Sequence, residues 1–466
     1  MSETPAVWPA PSPTLYGTRH SVSSGHCLAS AAAFAILEAG GNAVDAWITA
    51  LRDYGTLSFA DAAMRLAADG FAVFPLLADG IAKRQAGYRR WPANEAIYLP
   101  DGRPPIVGER FVQTDLARAI RLMIDAEATS GGYLAADDLA EFRSRDEPVV
   151  SVRRRDVTIV TCGAWCQGPI LSEALAIVEK HGIEGMAHNS ADYIHTVTEA
   201  LKGAFADREH HYGDPAFVEV PLERMLGEEH IAARAAAIDP ARAVDGLPPS
   251  PIGGSRPLPD AISADGVRRI GEGGTSYVFV VDRWGNAFSA TPSDGASTAP
   301  VIPGTGIVPS LRGLQSRPDP AHPSGVAPGK RPRLTPDPAI AVRDDGSVMP
   351  FGCPGGDMQV QAMLQVFLNV FHFGMDPQEA VDAPRFSTWS FPDSFAPFDC
   401  LAAHVFLEDR FDEDVYADLV ARGHDERCWP AYTRDAAAVE AVYRNAPTGF
   451  LESAADPRQP AQAVVS

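Results

Sequence analysis

From Ala29 to about Asp53 the chain is rich in Ala, Ile, Leu and Val and is broken at Gly40-Gly41, which predicts two helices joined by a glycine turn. Another helix follows: Ser58 can cap it, Asp61 stands at the third position as in a capping box, and Gly70 stops it after MRLAAD. Further helices are predicted at 112–127, 169–181, 191–209 and 358–372, and at 377–383, where Asp376 is the cap and Pro377 takes the first helical position. Clusters of β-branched and aromatic residues predict strands at 149–152, 156–161, 276–282, 287–291 and 339–343. Two stretches are poorly periodic. Residues 240–262, with PPSPIGGSRPLPD inside them, predict an exposed loop or linker, and the Pro-rich 300–338 is expected to wrap the surface or border a cleft. No internal repeat or coiled-coil pattern is present in the sequence.

Length allows two or three average domains or one large composite one in 466 residues. Charge narrows the partners. A formal net charge of -21 argues against nucleic acid, whose phosphates need clustered Lys and Arg, and the one basic run, Arg153 to Arg155, reads as a solvated strand end. No stretch approaches the roughly 18 apolar residues of a membrane span, so no membrane partner is expected. The start, MSETPAVWPAPSPTLYG, lacks a basic head and an apolar run; neither a signal peptide nor a lipid anchor is expected, and the expected location is the cytoplasm. Six cysteines without a dense framework fit a reducing compartment. Cys162 and Cys166 lack the second ligand pair of a zinc site and read as packing thiols, and His26, His195, His210 and His211 come without an HExxH pattern, so neither a metal nor a cofactor is expected.

The segment GEGGTSYVFVVDRWGNAFSAT, residues 271–291, carries the chemistry. It starts as a glycine turn, runs into an apolar strand, reverses at Arg283-Trp284-Gly285-Asn286 and returns as a second strand. Thr275 therefore stands where a flexible loop meets a buried strand. A threonine hydroxyl needs a base beside it to act as a nucleophile. Cleavage of the Gly274–Thr275 bond would supply one, because a free α-amine has a pKa of about 7.7 to 8.0. The preceding glycines allow the backbone geometry that brings the hydroxyl onto the carbonyl before it.

These residues resemble the γ-glutamyltransferase family, in which a threonine opening such a strand is followed by VVD, a turn and GNA, here Thr275, Val280-Val281-Asp282 and Gly285-Asn286-Ala287. Similar stretches recur in order along the chain: SSGHCLASAAAFAILEAGGNAVDA at 23–46, GGYLAADDLAEF at 131–142, EALKGAFADREHHYGDPAFV at 199–218, GTGIV at 304–308, PGKRP at 328–332, CPGGD at 353–357 and DAPRF at 382–386. The resemblance implies an α+β fold, a four-layer αββα sandwich of the N-terminal-nucleophile hydrolase type with two antiparallel-rich sheets between helical layers. It implies one composite domain over 1–466, cut by self-cleavage into segments 1–274 and 275–466 that stay together as an intramolecular heterodimer. Thr275 would be the nucleophile, Ser293 its hydrogen-bonding partner, and the N–H groups of Gly355 and Gly356 the oxyanion hole. Asp207, Arg208 and Asp214 recur in the family's ADR and GDP motifs and are read as structural ion pairs and caps.

The departures bear on the substrate. After Ala46 the chain goes almost directly to RDYGTLSFADA, without the segment and the arginine that in the family grip a glutamyl α-carboxylate. Gly295 stands where the family has an asparagine for the α-amine, and the family's serine pair falls near Leu334-Thr335, leaving Thr335 as the one substrate-binding hydroxyl. PSLRGLQSRPDPAHP replaces the acidic loop after GTGIV, and Tyr277 replaces a histidine. The expected partner is a small-molecule amide, γ-glutamyl such as glutathione or another acyl amide, cleaved by hydrolysis or acyl transfer. The alternative is a degenerate member serving as a binding or structural protein.

Overall fold

YVFVV is apolar at every position because its strand is covered on both faces. In the computed structural model, which describes residues 13–40, 42–43, 61–129, 146–253, 274–294 and 299–466, strand Val278–Val281 is central in a four-stranded antiparallel sheet. The order is Gln462–Val465, Ser21–Ser24, Val278–Val281, Ala287–Ala290. Val278 and Val280 point one way, onto Ala33, Phe34 and Leu37 of helix Cys27–Glu38. Tyr277, Phe279 and Val281 point the other way, onto Val348, Val442 and Leu451. Strict alternation would mark a half-solvated strand; a continuous apolar run marks one buried twice.

The residues met by Phe279 belong to a second sheet of seven strands. Its order is Leu15–Gly17, Leu451–Ala454, Glu440–Arg444, Val348–Gly352, Ala339–Arg343, Val157–Thr161, Val150–Arg154, with every neighbour antiparallel. On its far face Ile159, Ala341, Met349 and Phe351 join the largest apolar cluster with helices Gly168–His181, Ala191–His211 and Met358–Phe371. Helix, sheet, sheet and helices form an αββα sandwich, as the resemblance implied.

Local chemistry sets the element ends. Asp282 accepts from the backbone N–H groups of Trp284 and Asn286 at 2.9 Å each, which closes the hairpin at the expected place. Helix Pro377–Asp382 begins with a capping box between Asp376 and Glu379. Helix Met358–Phe371 has no charged residue, yet it buries Gln361 and Gln365, four apart on one face. Their amides pair with the backbone N–H and C=O of Thr388 and Phe386, standing in for a neighbouring strand along Phe386–Thr388.

The structure corrects one expectation and sharpens another. Residues 240–253 have little regular structure but are not simply an exposed loop, because Ser250 is buried and donates to Asp207 while Pro249 O accepts from Arg234 at 2.9 Å. The Pro-rich 300–338 does not merely wrap the surface: Arg312, Gln315, Arg317, Arg333, Thr335 and Asp337 in it are all buried. Ser58, the second helix expected before Asp53 beyond Ala43, and residues 254–262 lie outside the described residues.

Phe279 fills the space between the sheets and is fully buried. Phe279→Ala is expected to lower unfolding stability by about 3–5 kcal/mol, transfer and cavity terms together, read by urea denaturation against the parent.

Candidate active site

Just upstream of the central strand, Gly274–Thr275 forms a short antiparallel ladder with Ser293–Asp294. Thr275 lies directly opposite Ser293, and Ser276 N donates to Pro292 O at 2.9 Å beside them. Side chains directly opposite in such a ladder lie on the same face. The two hydroxyls accordingly meet, with Thr275 Oγ1 and Ser293 Oγ 2.5 Å apart. Tyr277 stays underneath, its ring close enough to Gly25 that a Cβ there would lie 2.9 Å from it. Burial pushes the Tyr277 phenol well above its ordinary range, so it offers no base at neutral pH.

Arg312 ties this pair to the rest of the site. Its Nε donates to Ser293 O at 3.0 Å, and its Nη1 donates to Gln315 Oε1 at 3.0 Å and to Thr335 Oγ1 at 3.3 Å. Gln315 Nε2 also donates to Thr335 Oγ1 at 3.3 Å. From Thr335 the path continues through Gln167, whose Nε2 donates to Thr335 O at 2.9 Å and to Gly356 O at 3.0 Å. A contiguous chain of hydrogen bonds thus joins Thr275, Ser293, Thr335 and Gly356, four of the positions expected from sequence. Gly295 lies outside the described residues.

Gly355 and Gly356 form the turn between strand Val348–Gly352 and helix Met358–Phe371, at φ of +124° and +58°. Both values lie where L side chains are strained, and a Cβ on Gly355 would lie 3.1 Å from that of Ala437. Neither N–H of the two glycines has an acceptor among the described residues. Such a pair at the front of a buried helix can stabilise an oxyanion. The following residue, Asp357, is held from behind: its Oδ1 accepts from Arg208 Nη1 and from Ser394 Oγ, each at 2.6 Å, and its Oδ2 accepts from Ser394 N at 2.7 Å.

Two other clusters have the composition of a metal site, and in both the ligand atoms are already used. In Glu173, Asp207 and His230, Asp207 Oδ2 accepts from His230 Nε2 and Arg234 Nε, while Oδ1 accepts from Ser250 and forms an ion pair with Arg234 Nη2 at 2.7 Å. Burial would raise the Asp207 carboxyl, but its bonds to His230, Glu173 and Arg234 outweigh that and hold it well below its usual range. Burial, with Asp207 beside it, pushes the Glu173 carboxyl well above the usual carboxylate range. In His195, Glu199 and His424, Glu199 is bound by Lys202 at 2.7 Å, and the His195 nitrogens face Asp239 O and His424. Both clusters are internal struts.

Sequence reasoning missed Gln167, Arg312 and Gln315. Arg312 and Gln315 lie in an aperiodic stretch, and only the Arg in a segment that departs from the family's acidic loop could have signalled them. Gln167 had a clearer mark, a poor capping residue standing where helix Gly168–His181 begins.

An antiparallel αββα sandwich whose central strand is approached by a hydroxyl pair, with a diglycine turn joined to it, defines an N-terminal-nucleophile hydrolase. Comparison with known proteins makes this more specific. The family model described as gamma-glutamyltranspeptidase matches residues 44–466, and the chain belongs to that family. Acylase ACY 1 proenzyme of Pseudomonas sp. (strain SE83) is 31% identical over 436 residues, covering 89% of this chain and 72% of its own. Oxamate amidohydrolase proenzyme of Klebsiella pneumoniae is 30% identical over 446 residues, with 89% and 78% covered. The crystal structure of cephalosporin acylase from Bacillus halodurans matches with a TM-score of 0.81 at 25% identity, covering 100% of this chain and 99% of that one. The chain is thus an amide-bond hydrolase or acyltransferase of the γ-glutamyltransferase type.

Gly355→Ala would force a side chain onto a φ of +124° against Ala437 and Met358. It is expected to cost about 1–3 kcal/mol of stability, read by thermal or urea unfolding, while the same change at solvent-facing Gly313 should cost far less.

Proposed function

We propose that the chain cuts itself between Gly274 and Thr275 and that the freed Thr275 is the nucleophile for amide substrates. The observation that carries this is the 2.5 Å contact between Thr275 and Ser293 at the mouth of a doubly buried strand. In turnover the α-amine of Thr275 takes the proton from its own hydroxyl, and Oγ1 adds to the substrate carbonyl carbon. The N–H groups of Gly355 and Gly356 hold the resulting oxyanion. Collapse breaks the C–N bond, the α-ammonium returns its proton to the leaving amine, and an ester on Thr275 remains. Water or a second amine gives a proton to the same α-amine as it adds to the ester carbonyl carbon, and that proton passes to Thr275 Oγ1 as the ester bond breaks and the acyl group leaves. Ser293 orients the nucleophile throughout.

The acyl group is proposed to be smaller or simpler than a γ-glutamyl zwitterion. Thr335 is buried and joined through Arg312 to the Ser293 backbone, and position 295 is a glycine with no side chain with which to hold an α-amine. Relatives named acylase and oxamate amidohydrolase are compatible with such a range. A site discriminates strongly against a missing polar group only if it has a partner for that group.

Two tests follow from the two halves of the proposal. Intact mass measurement should find two chains, the second starting at Thr275, and the Thr275→Ala variant should remain one inactive chain; a processed, active Thr275→Ala protein, or a parent that stays whole and serves only to bind, would refute the nucleophile assignment. Because the α-amine must be neutral to act as the base, kcat/KM of the mature protein should rise with pH and level off above about 8. For specificity, glutaryl-p-nitroanilide, which lacks only the α-amine of the γ-glutamyl compound, should be cleaved with kcat/KM within about tenfold of the latter. A drop of several thousandfold would mean that an α-amine subsite exists.

A further inference from the structure

We propose that Gln167 is a positioning residue that keeps the Gly355-Gly356 turn in register with the nucleophile; this rests on the oxyanion role given to that turn above. Gln167 occupies the position before helix Gly168–His181, where a side chain ordinarily caps the helix, yet it makes no capping bond. The side chain is turned inward and fully buried. Both of its N–H groups are used on backbone carbonyls, Thr335 O at 2.9 Å and Gly356 O at 3.0 Å, and its Oε1 accepts from Arg208 Nη1 at 3.2 Å. The amide orientation is dictated by these partners, since two carbonyls require donors and a guanidinium requires an acceptor.

The two carbonyls belong to opposite sides of the site. Thr335 connects through Arg312 to the backbone of Ser293, and thereby to Thr275. Gly356 belongs to the turn. Successive glycines at positive φ leave the peptide planes of that turn little resistance to rotation. Gly355 O is fixed by Met358 N at 3.0 Å, whereas Gly356 O has only a long helical bond, from Gln359 N at 3.3 Å. Gln167 supplies the shorter bond. Arg208 donates to Gln167 Oε1 and to Asp357 Oδ1 from one nitrogen, so one buried cation fixes both the side chain that holds Gly356 O and the side chain of the residue that follows the turn. The same charge polarises the Gln167 amide and strengthens its N–H groups as donors. With Gly356 O pinned by Gln167 and Gly355 O by Met358 N, the peptide planes on both sides of Gly356 are fixed, and the Gly356 N–H, which lies in the first of them, has little freedom to turn away.

The consequence is specific to the transition state. Losing one oxyanion donor outright costs about 10²–10³ in kcat, and letting the donors wander should cost about 10- to 100-fold. The test uses the full chain carrying Gln167→Leu, with glutaryl-p-nitroanilide as substrate, a propylboronic acid as tetrahedral mimic and glutarate as product-like ligand. Self-cleavage should slow, kcat should fall about 10- to 100-fold with KM within about twofold, boronate affinity should fall in parallel, and glutarate affinity should stay put. Unchanged kcat and boronate affinity, or equal losses for boronate and glutarate, would overturn the proposal. If the leucine variant does not fold, Gln167→Glu keeps the shape and the acceptor for Arg208 while losing the donors, and the same comparison applies. A parent that neither processes nor turns over defeats the Thr275 reading as well, whereas an active parent matched by Gln167→Leu defeats this one alone.

Discussion

The site depends on a strand that has no freedom to shift. Val278–Val281 is packed by a helix on one face and by the seven-stranded sheet on the other, and hydrogen-bonded to strands on both edges. A slip of one residue would exchange the two faces, driving Phe279 toward the helix and Val280 toward the larger sheet. Thr275, three residues upstream, inherits this register through the chain. Its pairing opposite Ser293 is then a consequence of where the apolar residues must go, and the meeting of two hydroxyls needs no separate device.

Behind the diglycine turn the packing is polar, and for a different reason. Arg208, Arg333, Glu209 and Asp357 are all buried, and Arg208 lies against the rings of Phe205 and Phe391. Burial, with Arg208 crowding it, pushes the Arg333 guanidinium down to about 9. Buried ion pairs add little net stability compared with apolar side chains of the same volume. What they do supply is direction, because each bond fixes an angle as well as a distance. The turn is therefore held by a set of oriented bonds, while the strand opposite it is held by fit.

This division decides what the sequence disclosed. The hairpin after Val281 and the capping box at Asp376 and Glu379 were legible because their causes lie within a few residues. Thr275, Ser293 and the glycines at 355 and 356 were legible through motifs and resemblance. Strand Ser21–Ser24 was not, since SVSS reads as a polar turn; its hydroxyls are buried because Ser23 meets Glu440 and Ala454 O, more than 400 residues away. Ser250 escaped in the same way, its partner Asp207 lying on a helix across a stretch of Pro and Gly. Arg312 escaped because irregular segments carry no period from which a direction can be read. Polar groups buried by distant partners leave no local pattern, and Arg312 and Gln167 are of that kind.

The sheets also bear on how a cut before Thr275 could be tolerated. In the small sheet, Ser21–Ser24 from before the cut lies between Gln462–Val465 and Val278–Val281 from after it. In the large sheet, Val157–Thr161 from before it pairs with Ala339–Arg343 from after it, and Leu15–Gly17 pairs with Leu451–Ala454. Separating the pieces would break both sheets and expose the core between them, so the loss of one peptide bond is negligible against the burial that holds the halves together. A new chain end at Thr275 would still be tied beside Ser293 by the bond from Ser276 N to Pro292 O, which lies wholly after the cut. Its amine would therefore lie on the same residue as the hydroxyl it has to serve.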